Sequence, residues 1–91
     1  MNRTFENVLR AMIEQSLRDM VMEHNYFLWN VEDITFIAPR DELHYRVYFE
    51  YDIVVVDDVT NGTFELCGGG YADGHGVHVP DTCYSTYRVD L

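Results

Sequence analysis

Ninety-one residues carry 16 Asp and Glu against six Arg and no Lys, a net charge of −10, so a surface made from them repels nucleic-acid and membrane phosphate and attracts cationic protein surfaces. The length supports one domain, residues 1–91, and excludes two independent cores. A hydrophobic fraction of 47% with seven Tyr, five Phe and one Trp excludes the disorder of aromatic-poor acidic chains, so the charge is expected on a folded surface.

The N-terminal residues run straight into an amphipathic pattern, and no apolar stretch is long enough for a signal peptide or a membrane span, which predicts a cytoplasmic protein. Phe5, Val8, Leu9, Met12, Ile13, Leu17, Met20 and Val21 recur at three- and four-residue spacing, with Glu6, Arg10, Glu14, Gln15 and Arg18 on the other side. That spacing predicts a helix over 5–24. Thr4 is the expected N-cap, Glu6 suits the positive end of the dipole, and Asn25 is expected to close the helix in a left-handed conformation. Arg10/Glu14 and Glu14/Arg18 are expected i,i+4 pairs worth only about 0.3 kcal/mol each, so this side reads as solvated and nearly neutral.

After Asn25 the period falls from 3.6 to two, and β-branched and aromatic residues take over. In 26–38, Phe27, Trp29 and Val31 share one phase and Ile34 and Phe36 the other, which predicts a bulge or break near Glu32-Asp33. Pro39-Arg40-Asp41-Glu42 reads as a turn. The next strand is expected to bury Leu43, Tyr45, Val47, Phe49, Tyr51, Ile53 and Val55 and to wet His44, Arg46, Tyr48, Glu50 and Asp52, with Val54 and Val56 covered on both sides. Asn61-Gly62 predicts a hairpin returning through 63–67. Gly68-Gly69-Gly70 to Pro80 reads as a loop or a twisted, bulged edge, and 82–89 as a last strand. One apolar helix stripe on one apolar sheet face predicts an α+β domain, an N-terminal helix packed on a four-stranded, or five-stranded, antiparallel sheet.

Cys67, His75, His78 and Cys83 are the soft and borderline ligands gathered in one stretch and would satisfy a tetrahedral zinc, but no C-x-x-C knuckle is present and seven residues separate Cys67 from His75. No metal site and no cofactor are expected, and the two cysteines, too few for a secreted disulfide framework, are expected as thiols. The glycine clusters lack the Lys and Ser or Thr of a phosphate-binding loop, and Asp73 and Asp81 oppose phosphate there. His44, His75 and His78 could supply an acid and a base to a small nuclease, with Arg46 or Arg88 holding phosphate, although the acidic surface has the wrong sign for that substrate. Glu50 with Asp52, or Asp57 with Asp58, could bind Mg²⁺ or act in hydrolysis, and read first as a wet strand face and a turn.

The acids are the dominant signal. Glu32, Asp33, Asp41, Glu42, Glu50, Asp52, Asp57, Asp58, Glu65, Asp73 and Asp81 come from strands and turns, so they are expected on the open sheet face and its rims, with Arg46 and the aromatics Tyr48, Trp29 and Tyr71 adding specificity. Alternate carboxylates on one strand stand about 6.5–7 Å apart, similar to successive phosphates along a nucleic-acid strand. In size, acidity and coarse architecture the chain resembles phage-encoded inhibitors such as uracil-DNA-glycosylase inhibitors and anti-CRISPR proteins, a likeness of profile that transfers no residue role. It implies a non-enzymatic, DNA-mimicking inhibitor in the cytoplasm of a bacterial host cell. Its partner would be a basic nucleic-acid-binding protein, with no direct contact to nucleic acid or membrane. The alternatives are an accessory subunit whose helix or sheet edge pairs with a partner or with itself as a homodimer, the small nuclease, and acidity that serves only solubility or a salt-rich environment.

Overall fold

The computed structural model describes residues 3–37, 45–79 and 84–88. The apolar spacing of the first segment becomes α1, Arg3–Glu23, which buries Leu9, Ile13, Leu17, Met20 and Val21 along one side. Thr4 lies inside the helix rather than capping it. At the other end His24 and Asn25 donate their backbone N–H groups to the carbonyls of Val21 and Met22, both at 3.1 Å, and Asn25 turns the chain at φ 65°, as its position predicts. Among the described residues no helix is long and apolar enough to cross a membrane.

The rest is antiparallel sheet: β1 (Tyr26–Ile37), β2 (Val47–Asp57), β3 (Thr63–Asp73), β4 (Gly76–His78) and β5 (Tyr84–Arg88). The order is β1-β2-β3, and the outer edge of β3 is shared, with β4 on residues 71–73 and β5 on residues 64–67. One helix on a sheet four strands wide is the expected α+β architecture. Its core joins the buried side of α1 to Ile34, Phe49, Tyr51, Ile53, Val55, Leu66 and Ala72.

Strand β1 carries two bulges, at Trp29 and at Glu32, where the pairing with β2 skips one residue. Each inserted residue reverses the alternation once, so the side chains packed toward the core are Tyr26, Leu28, Val31, Ile34 and Phe36. The bulge at Glu32 is the one the sequence predicts. The one at Trp29 explains why Phe27 and Trp29 are exposed while Val31 is not. Arg10 secures α1 to this edge strand: Nη1 donates to the Ile34 carbonyl at 2.7 Å, and the guanidinium lies 4.9 Å from the Phe36 ring. Its ion pair is with Glu6, at 3.1 Å, not with Glu14.

Two further expectations are corrected. Tyr45 is not on the buried side of β2: it stands before the strand, 88% exposed, at φ 51°. Leu43, His44 and the turn at 39–42 lie outside the described residues. The Gly68-Gly69-Gly70 run is not a loop but the middle of β3, paired with Tyr51, Glu50 and Phe49. The rings of Tyr51 and Phe49 explain the composition, because they occupy the space that side chains at Gly68 and Gly70 would need. A Cβ at Gly68 would stand 2.5 Å from the Tyr51 hydroxyl oxygen, and one at Gly70 would strike the His78 carbonyl oxygen and come within 2.9 Å of Phe49 Cζ.

The β2–β3 turn is held by Asp57, whose Oδ1 accepts from Val59 N at 2.8 Å and Thr60 N at 3.2 Å, while its own N–H donates to the Gly62 carbonyl at 2.8 Å. Asp58 N donates to the Asn25 carbonyl at 3.1 Å, joining this turn to the end of α1. Asn25→Ala is therefore expected to cost about 1 kcal/mol, because the left-handed region penalises a Cβ that has no amide to compensate it, and Asn25→Gly to stay within about 0.5 kcal/mol of wild type. Urea unfolding of both variants measures this. Equal losses would mean that the Asn25 side chain, not its φ, is what matters.

Candidate functional site: the open face of the sheet

With α1 on one face, the other face of the sheet is built from side chains that sit opposite one another in successive rows. One row is Thr35, Glu50 and Gly69; the next is Asp33, Asp52 and Cys67; in a third, Asn30, Val54 and Glu65, the central Val54 is buried, as the sequence predicts for that end of β2. Glu32, inserted by the second bulge, projects toward the same group and interacts with Glu65 and Asp52. Five carboxylates thus share one patch drawn from three strands. Thr35 Oγ1 donates to Asp33 Oδ2 at 2.6 Å, which fixes one of them. Beside them Gly69, without a side chain, leaves a hollow of about 390 Å³ lined by Glu50, Tyr51, Asp52, Cys67, Gly68 and Gly69.

The register opposes like charges directly: Asp33 faces Asp52 across the β1–β2 pair. Such a pair destabilises a sheet, by an amount comparable to the 0.2–1 kcal/mol that a favourable pair contributes. Desolvation beside the neighbouring strands, and then the negative charges of Glu65 and Asp52, hold the Glu32 carboxyl above its ordinary value of 4.5.

At one end of the face the chemistry changes. Tyr48, Tyr71 and His78 lie opposite one another on β2, β3 and β4. His78 stacks on Tyr71 with ring centroids 4.7 Å apart, Tyr48 lies 6.0 Å away, and the Arg46 guanidinium sits 4.2 Å from the Tyr71 ring centre. His78 Nε2 is 3.1 Å from Asp73 Oδ1, which also accepts from His75 N at 2.8 Å. That backbone donor, outweighing desolvation and helped by the bond to His78, lowers the Asp73 carboxyl below its ordinary 3.8.

The predicted site residues therefore divide. Glu32, Asp33, Glu50 and Asp52 come together, and Glu65 joins them. Asp57 and Asp58 do not; they belong to the β2–β3 turn, where the Asp57 carboxylate is occupied by backbone N–H groups. Arg46 and Tyr48 form the aromatic end. Asp41, Glu42, His44 and Cys83 lie outside the described residues. Trp29 is exposed at the first bulge. Among the zinc-type residues, Cys67 and Tyr71, the partner of His78, are four residues apart along β3, about 13 Å. His75 is exposed in the β3–β4 turn. No group of three or more His, Cys, Asp and Glu placed to hold a metal ion occurs among the described residues.

The Tyr71–His78–Asp73 cluster was missed at the sequence level, though a signal existed: a two-residue turn at Gly74-His75 sets Tyr71 opposite His78. The Asp33–Asp52 opposition left no local trace, because it depends on the register in which β1 pairs with β2. No protein-family model, curated protein or solved structure matches this chain.

The two titrations have opposite signs. Asp73, lowered in the folded state, contributes stability above about pH 3.8 that is lost as pH falls through its folded value. Glu32, raised, reduces stability as pH rises above 4.5 through its folded value. Thermal melts are expected to show a higher Tm just above pH 4.5 than at pH 7, and a fall below pH 3.8. Glu32→Gln should shrink the first effect and Asp73→Asn the second. A profile unchanged by both substitutions would assign the pH dependence to other groups.

Proposed function

We propose that this protein is a non-enzymatic inhibitor whose open sheet face occupies the cationic, nucleic-acid-binding surface of another protein, as an anti-defence protein of phage type would in a bacterial cytoplasm. The observation that carries the reading is the direct opposition of Asp33 and Asp52, with Glu32, Glu50 and Glu65 around it. Solubility needs carboxylates scattered over a surface; it does not need two facing each other across a strand pair at a loss of stability. Rows of acids on a rigid sheet present negative charge at near-phosphate spacing, and a groove lined with Arg and Lys gains by neutralising them. Arg46, Tyr48 and Tyr71 at the end of the face supply the aromatic and Arg contacts that dominate interface energies.

Immobilised protein incubated with bacterial lysate at low salt tests this. The expected catch is a nucleic-acid-binding protein that elutes as salt rises and is displaced by DNA or RNA. Captured proteins that ignore both salt and nucleic acid would remove the mimic reading and leave an accessory subunit held by apolar packing.

A further inference from the structure

Three consecutive glycines form the middle of β3, and the core accounts for only two of them. Gly68 and Gly70 lie on the core side, where the rings of Tyr51 and Phe49 take the space that side chains would need. Gly69 points the other way, into the open face. Among the described residues outside its chain neighbours, a Cβ on Gly69 would meet one atom within 4 Å, the Phe49 carbonyl oxygen at 3.2 Å, and a shift of a few tenths of an ångström relieves that contact. Its backbone is ordinary strand, not left-handed. The fold therefore does not require glycine here, although glycine inside a strand weakens it. A strand glycine that packing leaves unexplained often marks a place where a ligand or another chain comes close.

The walls select what comes close. The hollow of about 390 Å³ at Gly69 is bounded by Glu50, directly across the β2–β3 pair, and by Asp52 and Cys67 in the adjoining row. Glu50 and Asp52 alternate on β2, about 6.5–7 Å apart. Neither is paired with a cation among the described residues. A Lys ammonium is a compact, strongly hydrated point charge. A guanidinium is flat, weakly hydrated and carries five donors around its plane, so one group in the hollow can donate to both carboxylates while its face lies along the uncovered strand. On the far side of Gly69 the next row holds Tyr48 and Tyr71, and this surface already seats a guanidinium on such a ring, that of Arg46 at 4.2 Å from the Tyr71 centre.

We propose that the hollow at Gly69 receives one arginine side chain of the partner, bound between Glu50 and Asp52. The assignment rests on the reading of the sheet face as the binding surface and adds to it a preference for arginine over lysine. Hexa-arginine and hexalysine peptides titrated calorimetrically into the whole chain at low salt test this. Wild type is expected to bind hexa-arginine roughly fivefold tighter than hexalysine. Gly69→Thr fills the hollow with a side chain suited to strands, leaves every charge in place, and is expected to erase that preference. Gly69→Ala, the smaller intrusion, is expected to reduce it and carries the test if the Thr variant does not fold. Gly74→Ala, which removes a glycine from the β3–β4 turn instead, should retain it. Equal affinities of wild type for the two peptides, or a preference that survives filling the hollow, would overturn the assignment. Glu50→Gln with Asp52→Asn separates that failure from a deeper one. If this double variant loses affinity for both peptides, the acidic face stands as a cation-binding surface whether or not arginine is preferred; if it binds both as wild type does, the reading of the face and the arginine site fall together.

Discussion

Phe49→Ala is expected to destabilise the domain by about 3–5 kcal/mol, the range for truncating a fully buried aromatic side chain. Phe49 is 1% exposed, at the centre of the core formed by α1 and β2, and its ring closes over Gly70. Total stabilities of small domains are only about 5–15 kcal/mol, so this variant should stand near the edge of folding. Gly70→Ala attacks the same contact from the other side and is expected to cost about 1–3 kcal/mol by overpacking, because the added methyl meets the backbone oxygen of His78 as well as the ring. The two losses should not add, since removing the ring relieves one of the two clashes. Glu50→Ala, one residue from Phe49 and exposed, should change stability by less than about 0.5 kcal/mol. Urea unfolding of the four proteins decides the matter. If Glu50→Ala costs as much as Phe49→Ala, the face described as open is covered.

Reversing Glu50 and Asp52 to Lys is expected to weaken binding to the cationic partner at least tenfold, about 1.4 kcal/mol. The structure adds a second expectation of opposite sign. A Lys at position 52 would face Asp33 across the β1–β2 pair, turning a repulsive opposition into an attractive one, so the folded state should hold or gain by about 0.2–1 kcal/mol. Binding lost while stability rises cannot be attributed to unfolding. Reversing Glu14 and Glu23 on α1 is the control, chosen because Glu6 is engaged with Arg10, and it should change affinity far less. Binding that survives the sheet reversal and falls with the helix reversal would end the mimic proposal.

The parts of the fold written in local periodicity were legible. The helix, its close at Asn25, the long alternation of β2 and the Asn61-Gly62 turn each depend on neighbours within a few residues. Misreadings fell where distant residues decide. Gly68-Gly69-Gly70 signals a loop when read alone and a strand only once Tyr51 and Phe49 lie against it, a contact made across the sheet. Tyr45 continues the alternation of β2 in sequence and leaves it in space, because the backbone turns left-handed there. The same limit applies to the site. Glu50 and Asp52 could be placed on a wet face from their alternation, but Asp33 and Glu65 arrive from other strands through the pairing registers, and Glu32 through a bulge.

The paired bulges of β1 carry a consequence for how this chain can change over generations. Loss of Trp29 alone would set Leu28, opposite Val55, directly before Asn30, opposite Val54, so Tyr26, Leu28 and Val31 would stay on the core side and Phe27 outside it. Loss of Glu32 would be absorbed in the same way, because Val31 and Asp33 already face the adjacent residues Ile53 and Asp52. Length variation in this strand is thus expected at the two bulges, one residue at a time. A descendant missing one codon at either bulge would keep the inside and outside of the strand and lose only a local bend.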